Sequence, residues 1–358
     1  MIQESERPKH ILELDGVRGI AVIGVMLLHF HAPWAAQRPF GPLSSVFLHG
    51  WAGVDLFFVL SGFLITSILV STRDASNYFS AFYARRSLRI FPLAFLMIAA
   101  FYWVGVPLAH RHGQLLTLPD SEQIWYWLFL GNWRQGLGFN DGAELGHFWS
   151  LAIEEQFYLF FALVVRYVPR RYLAAVCVTL FSTSVLLRTF VLALGHYDES
   201  KIEQLVRLTP LHLDPVALGA LLACSTPFLA RVTRWRWPLL ALGIAGLALS
   251  LPAGLNIVAA GVASAALVAM AATRPVPLLR HPILTRCGKY SYAMYVLHPF
   301  WLGFVLFKKY PHSRSLMVGS LILGPLLSYG MAVISWNVLE KRFLALKHRF
   351  PYRVYQLS

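Results

Sequence analysis

Charged residues are scarce in this chain, and acidic residues are the scarcest of them. Only 13% of its 358 residues are charged, whereas 57% are hydrophobic and the mean hydropathy is +0.57. Apolar runs of roughly 20 residues recur along the sequence, and each is long enough to cross a bilayer core. This composition excludes a water-soluble globular domain and indicates an integral membrane protein.

Basic residues are in excess, with 31 Lys and Arg against 17 Asp and Glu. A net charge of +14 would by itself suggest a nucleic-acid partner. The basic residues flank the apolar runs, however, and that distribution is typical of the signals that set membrane topology. We therefore expect membrane lipid, and no nucleic acid, among the partners.

Cysteine is nearly absent, and the motifs of several enzyme classes are missing. The three cysteines, Cys177, Cys224 and Cys287, lack the spacing of a metal site or a disulfide framework. The first two lie in apolar runs and are interpreted as packing residues. The sequence also lacks a Gly-rich phosphate loop, a strained serine elbow and an evident cysteine nucleophile. We expect no metal and no permanently bound cofactor, and a covalent serine mechanism is disfavoured.

The apolar runs predict an all-α fold, a polytopic membrane helical bundle of about ten transmembrane helices. It forms a single membrane domain over residues 1–358, and we expect no appended soluble domain. The predicted spans are 16–33, 51–71, 90–110, 148–166, 173–195, 210–230, 237–253, 255–273, 290–308 and 316–336. The short run 124–130 is assigned to the outer interface or to a re-entrant segment, because most Lys and Arg then lie on one side. Both termini are then cytoplasmic.

Ionisable residues inside these spans are the first candidates for a functional site, because a charge in the bilayer is costly. His29 follows Arg18 by eleven residues, so both point the same way on a helix but lie about 16 Å apart. Depth counted along the spans places Glu154 and Arg188 at the level of His29. Asp55, His212 and Asp214 are predicted nearer the outer mouth; helix tilt shifts such depths by several Å.

Each of these residues also has a simpler interpretation. His29 alone fits a satisfied core histidine, and Glu154 with Arg188 fits a buried structural ion pair. Asp55 and Asp214, near span ends, fit interfacial placement. A basic cluster precedes the third span, and such clusters commonly anchor topology or bind anionic lipid. It consists of Arg85, Arg86 and Arg89.

The chemistry that these residues support together is acyl transfer. A histidine of near-neutral pKa takes the proton from an attacking hydroxyl, and a carboxylate such as Glu154 supports the resulting imidazolium. The basic cluster suits the phosphates of an acyl-coenzyme A donor. Direct transfer with His29 as general base is favoured, and a transient acyl-histidine stays open.

Five sequence motifs resemble those of the acyltransferase-3 family of membrane acyltransferases. They are Leu14-Asp-Gly-Val-Arg-Gly-Ile with His29, Gly53-Val-Asp-Leu-Phe-Phe-Val-Leu-Ser-Gly-Phe-Leu-Ile-Thr66, Phe82-Tyr-Ala-Arg-Arg-Ser-Leu-Arg-Ile-Phe-Pro92, His147-Phe-Trp-Ser-Leu-Ala-Ile-Glu-Glu-Gln-Phe-Tyr158 and Ser291-Tyr-Ala-Met-Tyr-Val-Leu-His-Pro299. The resemblance covers nearly the whole chain. At the start of the span after Arg188, where members often carry Arg-x-Asp, this chain has His212-Leu-Asp214.

The resemblance implies a membrane O-acyltransferase of the bacterial cytoplasmic membrane. Its co-substrate would be acetyl-CoA or another acyl-CoA, and its acceptor a sugar hydroxyl of an exopolysaccharide, O-antigen or related cell-envelope glycan. An alternative acceptor is a small glycosylated or macrolide metabolite. Polysaccharide synthesis or export proteins are candidate partners. The resemblance does not identify the acceptor or the acyl chain length.

The hypothesis from motifs and depths assigns a role to each candidate. Arg18, Arg85, Arg86 and Arg89 bind the donor, whose arm spans the distance from Arg18 to the catalytic pair His29 and Glu154. The acceptor or its charge network involves five residues, Asp55, Arg188, His212, Asp214 and His298. Two rival functions stay open: a transporter or flippase of lipid-linked sugars, which also uses buried charges, and a non-catalytic subunit of a polysaccharide synthesis complex.

Overall fold

The computed structural model describes residues 10–33, 40–111, 122–139, 145–195, 197–249, 251–300 and 313–353, and within these ranges the chain is helical without a β-strand. The α-helices are, in chain order, α1 Leu12–His31, α2 Pro42–Leu48, α3 Ala52–Ser71, α4 Tyr78–Ala100, α5 Val106–Arg111, α6 Ile124–Trp127, α7 Gly131–Gly136, α8 Phe148–Tyr167, α9 Arg170–Leu194, α10 Glu199–Leu205, α11 Asp214–Cys224, α12 Thr226–Arg234, α13 Arg236–Ala248, α14 Ala253–Thr273, α15 Pro282–Leu297, α16 Arg314–Ser335 and α17 Lys341–Ala345. Two π-helical segments, Phe101–Gly105 and Trp336–Glu340, continue α4 and α16.

Within the described residues, six helical stretches are long and apolar enough to cross a membrane, or seven if one bent pair counts as a span. The six are Pro42–Ser71, Tyr78–Leu108, Phe148–Tyr167, Arg170–Leu194, Gly254–Thr273 and Ser315–Arg349. The bent pair is α11 with α12, whose axes differ by 107°. These helices agree with a membrane helical bundle.

The predicted number of ten spans, and the cytoplasmic placement of the termini, stay predictions. Where a span was expected over 210–230, α11 has only 11 residues, about 16 Å, and is shorter than a bilayer core. Similarly, α13 has 13 residues, about 20 Å. Residues 301–308 of the predicted ninth span lie outside the described residues. The run 124–130 contains a single helical turn, α6, which is far too short to cross.

The first helix packs lengthwise against α15, and the two run parallel. Asp15, in the first turn of α1, contacts Gly288 in the middle of α15, and His29 contacts His298 where both helices end. A Cβ atom built on Gly288 would lie 1.8 Å from the Asp15 carbonyl oxygen, so only glycine permits this approach. Small residues at helix interfaces are how membrane bundles gain close backbone packing.

The site is framed by α3, α8 and α11, which run parallel to one another and antiparallel to α1. Phe58 contacts Trp149 and Ser61 bonds Tyr158, which fixes the direction of α8 relative to α3. The last turns of α1 and α15 therefore lie beside the first turns of these three helices.

Candidate active site

One cavity of about 240 Å³ opens between α1, α3, α4, α8 and α15. Its polar lining includes three guanidinium groups, from Arg18, Arg86 and Arg89, and one carboxylate, from Glu154. Most of the remaining wall is apolar or aromatic, including Phe57, Phe58, Leu64, Ile65 and Ile68. An excess of arginine over carboxylate beside apolar walls suits a ligand that joins anionic groups to a long organic arm.

The arginines of the cavity are held over aromatic rings. The Arg86 guanidinium carbon lies 4.3 Å from the centre of the Tyr158 ring, and that of Arg89 lies 5.9 Å from the Tyr292 ring. The buried Nε of Arg86 has no acceptor within the described part of the chain. Stacking fixes the planar groups without consuming all their donors, which leaves N–H groups for an anion.

Two members of the predicted donor-binding set are engaged elsewhere. Arg85 does not line the cavity; its Nη1 donates to the carbonyls of Lys347 (3.0 Å) and Phe350 (3.3 Å) in the segment after α17. Arg18 lines the cavity but also pairs with Asp15 at 2.8 Å, one turn earlier on α1. The predicted basic cluster is therefore divided, with Arg86 and Arg89 inside and Arg85 holding the C-terminal segment.

Glu154 belongs to a short hydrogen-bonded chain across the cavity wall. The Tyr158 hydroxyl donates to Glu154 Oε2 at 2.9 Å and also shares a hydrogen bond with the Ser61 hydroxyl. Ser61 and Tyr158 both line the cavity and were missed by the sequence reasoning, although both stand inside quoted motifs. Because a carboxylate can only accept, the proton of Tyr158 points toward Glu154.

The predicted ion pair between Glu154 and Arg188 is not formed. Arg188 instead forms a bidentate salt bridge with Asp214, with Nη1–Oδ1 at 2.6 Å and Nη2–Oδ2 at 2.9 Å. It also donates to the carbonyls of Leu211 and Gly254. The physical reason is lateral packing: α9 lies against α11, and depth along a helix does not determine which neighbour a side chain faces.

A second buried pair lies beside the first. His212 Nε2 is 2.8 Å from Asp55 Oδ1, and its Nδ1 is 2.7 Å from the Val206 carbonyl. A carbonyl only accepts, so both ring nitrogens of His212 face acceptors, which suits an imidazolium. The four side chains of both pairs are at most 5% exposed. Asp55 and Asp214 are therefore buried between helices, and this polar set is an internal charge network.

His29 lies in the last turn of α1, where its ring is oriented by the backbone. Nδ1 is 2.9 Å from the carbonyl of Val25, so Nδ1 carries the proton and a neutral ring leaves a lone pair on Nε2. That is the tautomer a general base requires. The bond is a local i to i−4 contact and could be anticipated from the helix alone.

Two further histidines adjoin it, and we call His29, His298 and His147 the histidine cluster. Ring centres of His29 and His298 are 4.6 Å apart, and those of His298 and His147 are 5.1 Å apart. His298 Nδ1 and His147 Nε2 each face a carbonyl of α15, those of Tyr295 (2.7 Å) and Val296 (3.2 Å). His147 was missed as a candidate because nothing in the sequence shows that the residue before α8 meets α1.

The histidine cluster and Glu154 do not lie at one depth, contrary to the sequence estimate. His147 precedes α8 and belongs to the cluster, whereas Glu154 lies seven residues farther along, about 10 Å. Helix α1 begins at Leu12 rather than at residue 16, so His29 lies farther from the start of its helix than the span boundaries suggested. Glu154 and Arg18 share the cavity, while His29 does not line it.

Tyr295 connects the two levels. Its hydroxyl is 2.6 Å from the Ser150 hydroxyl and donates to the carbonyl of His147 at 2.9 Å, while its own carbonyl accepts from His298. Tyr295 and Ser150 also line the cavity. The wall of the cavity and the histidine cluster are thus parts of one hydrogen-bonded unit.

The fold and the site together define a class of protein. It is a polytopic helical membrane protein with an arginine-lined internal cavity and a histidine whose tautomer suits a general base. A family model described as an acyltransferase domain matches residues 11–339, so the chain belongs to the acyltransferase-3 family of membrane proteins, and the resemblance seen in the motifs is confirmed.

Curated relatives are similar over part of their length. O-acetyltransferase OatA of Staphylococcus aureus (strain NCTC 8325 / PS 47) is 31% identical over 238 residues, 63% of this chain and 36% of the relative. Putative peptidoglycan O-acetyltransferase YrhL of Bacillus subtilis (strain 168) is 36% identical over 168 residues, 44% of this chain and 24% of the relative. Peptidoglycan O-acetyltransferase OatA of Listeria monocytogenes is 33% identical over 160 residues, 42% of this chain and 23% of the relative. The chain therefore spans about a third or less of these relatives. No solved structure matches it.

Proposed function

We propose that this chain is a membrane O-acyltransferase that moves an acetyl or other short acyl group from cytoplasmic acyl-CoA to a hydroxyl of a cell-envelope glycan. The observation that carries the proposal is the cavity, whose arginines and apolar wall suit the donor and which adjoins the histidine cluster through Tyr295. Family membership supports the reaction class, and the relatives' names support a glycan acceptor.

The donor enters from the cytoplasmic side in this proposal. Its phosphates bind Arg86 and Arg89, whose guanidinium groups are already oriented by aromatic rings. The apolar walls take its arm, and the Ser61–Tyr158–Glu154 chain offers hydrogen bonds to the arm's amides. The thioester reaches the histidine cluster past Tyr295 and Ser150. Glu154 thereby acts in the donor cavity, and not as the partner of His29 that the sequence suggested.

At the histidine cluster His29 acts as the general base. Its Nε2 takes the proton as the acceptor oxygen forms a bond to the acyl carbon, and the thioester C–S bond breaks. The resulting imidazolium returns its proton to the departing thiolate. No carboxylate of the described residues bonds His29; the groups beside its ring are the Val25 carbonyl, which accepts from Nδ1, and the His298 ring, whose centre is 4.6 Å from that of His29.

The acceptor side follows from the family and the relatives. We place the protein in the bacterial cytoplasmic membrane, because the relatives are bacterial proteins named as O-acetyltransferases. A glycan of the cell envelope, peptidoglycan among them, is the preferred acceptor, and a small glycosylated or macrolide metabolite is the alternative. Proteins of polysaccharide synthesis or export are candidate partners.

The test is transfer of radiolabelled acetyl from acetyl-CoA into cell-envelope glycans, comparing wild type with His29→Ala at matched expression. The matched control is His49→Ala. The ring of His49 makes the same i to i−4 bond, to the Ser45 carbonyl, but that bond is exposed and the residue is only partly buried. We expect label in the wild type and the control, and at least a hundredfold less in His29→Ala, because base catalysis contributes about 10² to 10⁴.

Other outcomes separate the alternatives. Equal label in wild type and His29→Ala would remove His29 from the chemistry. Absence of label in both, with no acetyl-CoA hydrolysis by the purified protein, would contradict the enzyme and favour a transporter. The bent pair α11 and α12, whose axes differ by 107°, would then be a candidate for the discontinuous helix that transporters use.

A further inference from the structure

The acceptor of the proposed reaction needs polar contacts that can be reached from outside the bundle, and the sequence candidates do not provide them. Asp55, His212, Asp214 and Arg188 are at most 5% exposed and bond one another or backbone carbonyls. A sugar could contact them only by breaking two buried ion pairs, which is costly. Another set of polar groups must therefore serve the acceptor.

Arg207 and Glu203 meet the requirement. Arg207 bonds Gln135, and Gln135 bonds the carbonyl of Gly146, the residue directly before His147 of the histidine cluster. Arg207 and Glu203 form an ion pair one turn apart, at the end of α10, with side chains 22% and 69% exposed. The pair is thus charged, accessible and connected through Gln135 to the backbone beside the histidine cluster, whereas the internal network is charged but buried.

We propose that Arg207 and Glu203 form an acceptor rim, a binding site for a neutral, hydroxyl-rich sugar whose reacting hydroxyl is held over His29. This inference rests on the proposed function. The two charges cancel, so the rim attracts no net anion, yet it presents guanidinium donors beside carboxylate acceptors. Neighbouring sugar hydroxyls, which both donate and accept, match that arrangement.

The rim is held in place by a buried polar scaffold. Arg207 Nη1 donates to Gln135 Oε1 at 3.0 Å, and Gln135, itself 1% exposed, donates to the Gly146 carbonyl at 2.9 Å. Asn132 donates to the Arg207 carbonyl and accepts from Gln156 of α8. Side chains so fixed lose little freedom when a ligand binds, which is the general advantage of preorganised sites.

The position of the rim also separates acceptor from donor. Helix α9 spans 25 residues, about 37 Å, between Arg170 and the segment leading to α10. Arg170 bonds Asp74 in the turn before α4, which carries the donor arginines. The rim lies at the opposite end of α9, so donor and acceptor approach the histidine cluster from opposite faces of the bundle.

The test uses the full chain in membranes and two readouts from radiolabelled acetyl-CoA: hydrolysis of the donor and transfer into cell-envelope glycan. We expect Arg207→Gln and Glu203→Gln each to lower transfer at least tenfold while donor hydrolysis persists. Glu199→Gln is the matched control, since this carboxylate is exposed on the same helix. Transfer by the wild type should change less than twofold between about 0.05 and 0.3 M salt, because a neutral acceptor is not screened.

Each result has a definite meaning. If both variants transferred acetyl at the wild-type rate, the proposed acceptor rim would be refuted. A parallel loss of hydrolysis and transfer would refute it too, because the two residues would then act in donor chemistry or in folding. A severalfold fall of wild-type transfer with salt, at constant hydrolysis, would overturn the neutral class in favour of an anionic acceptor. A wild type that neither hydrolyses nor transfers acetyl would refute the proposed function itself.

Discussion

The buried pair of Arg188 and Asp214 gives a quantitative prediction about stability. The Asp214 carboxylate is 1% exposed, and Arg188→Met would leave it with the Ser184 hydroxyl as its one side-chain hydrogen-bond partner among the described residues. The substitution also leaves the carbonyls of Leu211 and Gly254 without this donor. Breaking one side of a buried pair costs about 3–5 kcal/mol, chiefly because a charge stays buried without compensation.

The double variant Arg188→Met with Asp214→Asn should recover much of that loss. Replacing both charges removes the uncompensated carboxylate, and such replacements are often near neutral in measured cases. We therefore expect a coupling energy of at least about 2 kcal/mol between the two positions, well above the 0.5 kcal/mol scatter of independent sites. The two hydrogen bonds of 2.6 and 2.9 Å are the contacts that the coupling reports.

The assay is reversible unfolding of the purified protein in mixed micelles, with the free energy of unfolding measured for wild type, both single variants and the double variant. The matched control is the pair of Arg170 and Asp74, joined at 3.0 Å with side chains 60% and 73% exposed. Exposed pairs contribute about 0–1 kcal/mol, so that cycle should show almost no coupling.

An additive double variant at Arg188 and Asp214 would refute this reasoning. It would mean that the two charges are solvated or partnered separately, and that the network does not tie α9 to α11. Coupling of equal size in the exposed control pair would show instead that the assay responds to charge number and not to burial.

Two further predictions concern the donor cavity and helix packing. Arg86→Gln should raise the KM for acetyl-CoA about tenfold or more, as expected for loss of a charge-assisted phosphate contact. Arg85→Gln should leave the KM within twofold, because Arg85 bonds backbone carbonyls outside the cavity. Equal effects of the two substitutions would contradict the conclusion that Arg86 lies in the donor cavity and Arg85 does not. Gly288→Ala should lower the free energy of unfolding by about 1–3 kcal/mol or more, because the new Cβ meets the Asp15 carbonyl. The control Gly330→Ala, whose Cβ has nothing within 4 Å, should be neutral or stabilising by up to about 1 kcal/mol. A Gly288→Ala variant as stable as the wild type would show that α1 and α15 can separate.

Much of the architecture could be predicted because membrane burial acts locally. Apolar length and basic flanks located most long helices, and the local i to i−4 bond of His29 depends only on its own helix. Helices α11 and α13 are shorter than the spans predicted over them, because an apolar run does not reveal the bend at Ser225 or the early end of a helix.

Side-chain partners across helices could not be predicted in the same way. Depth along a span is only one coordinate, and by depth alone Arg188 could pair with either Glu154 or Asp214. Because α9 packs on α11, Arg188 pairs with Asp214. The histidine cluster depends on the meeting of α1, α15 and the start of α8, three segments far apart in sequence. The sequence motifs therefore include His147, Tyr158 and Ser61, but no single motif reveals that these residues belong to one site.

The separation between arginines and base is itself an argument for a long donor. Arg18 lines the cavity, and His29 lies eleven residues, about 16 Å, farther along the same helix. A short acyl phosphate bound at the arginines could not reach Nε2 of His29 from there. Under the proposed function, a donor with its phosphates at one end of an extended arm and its thioester at the other would fit both positions at once. Tyr295 is hydrogen-bonded both to the cavity wall and to the histidine cluster, and it lies on the path that we propose for that arm.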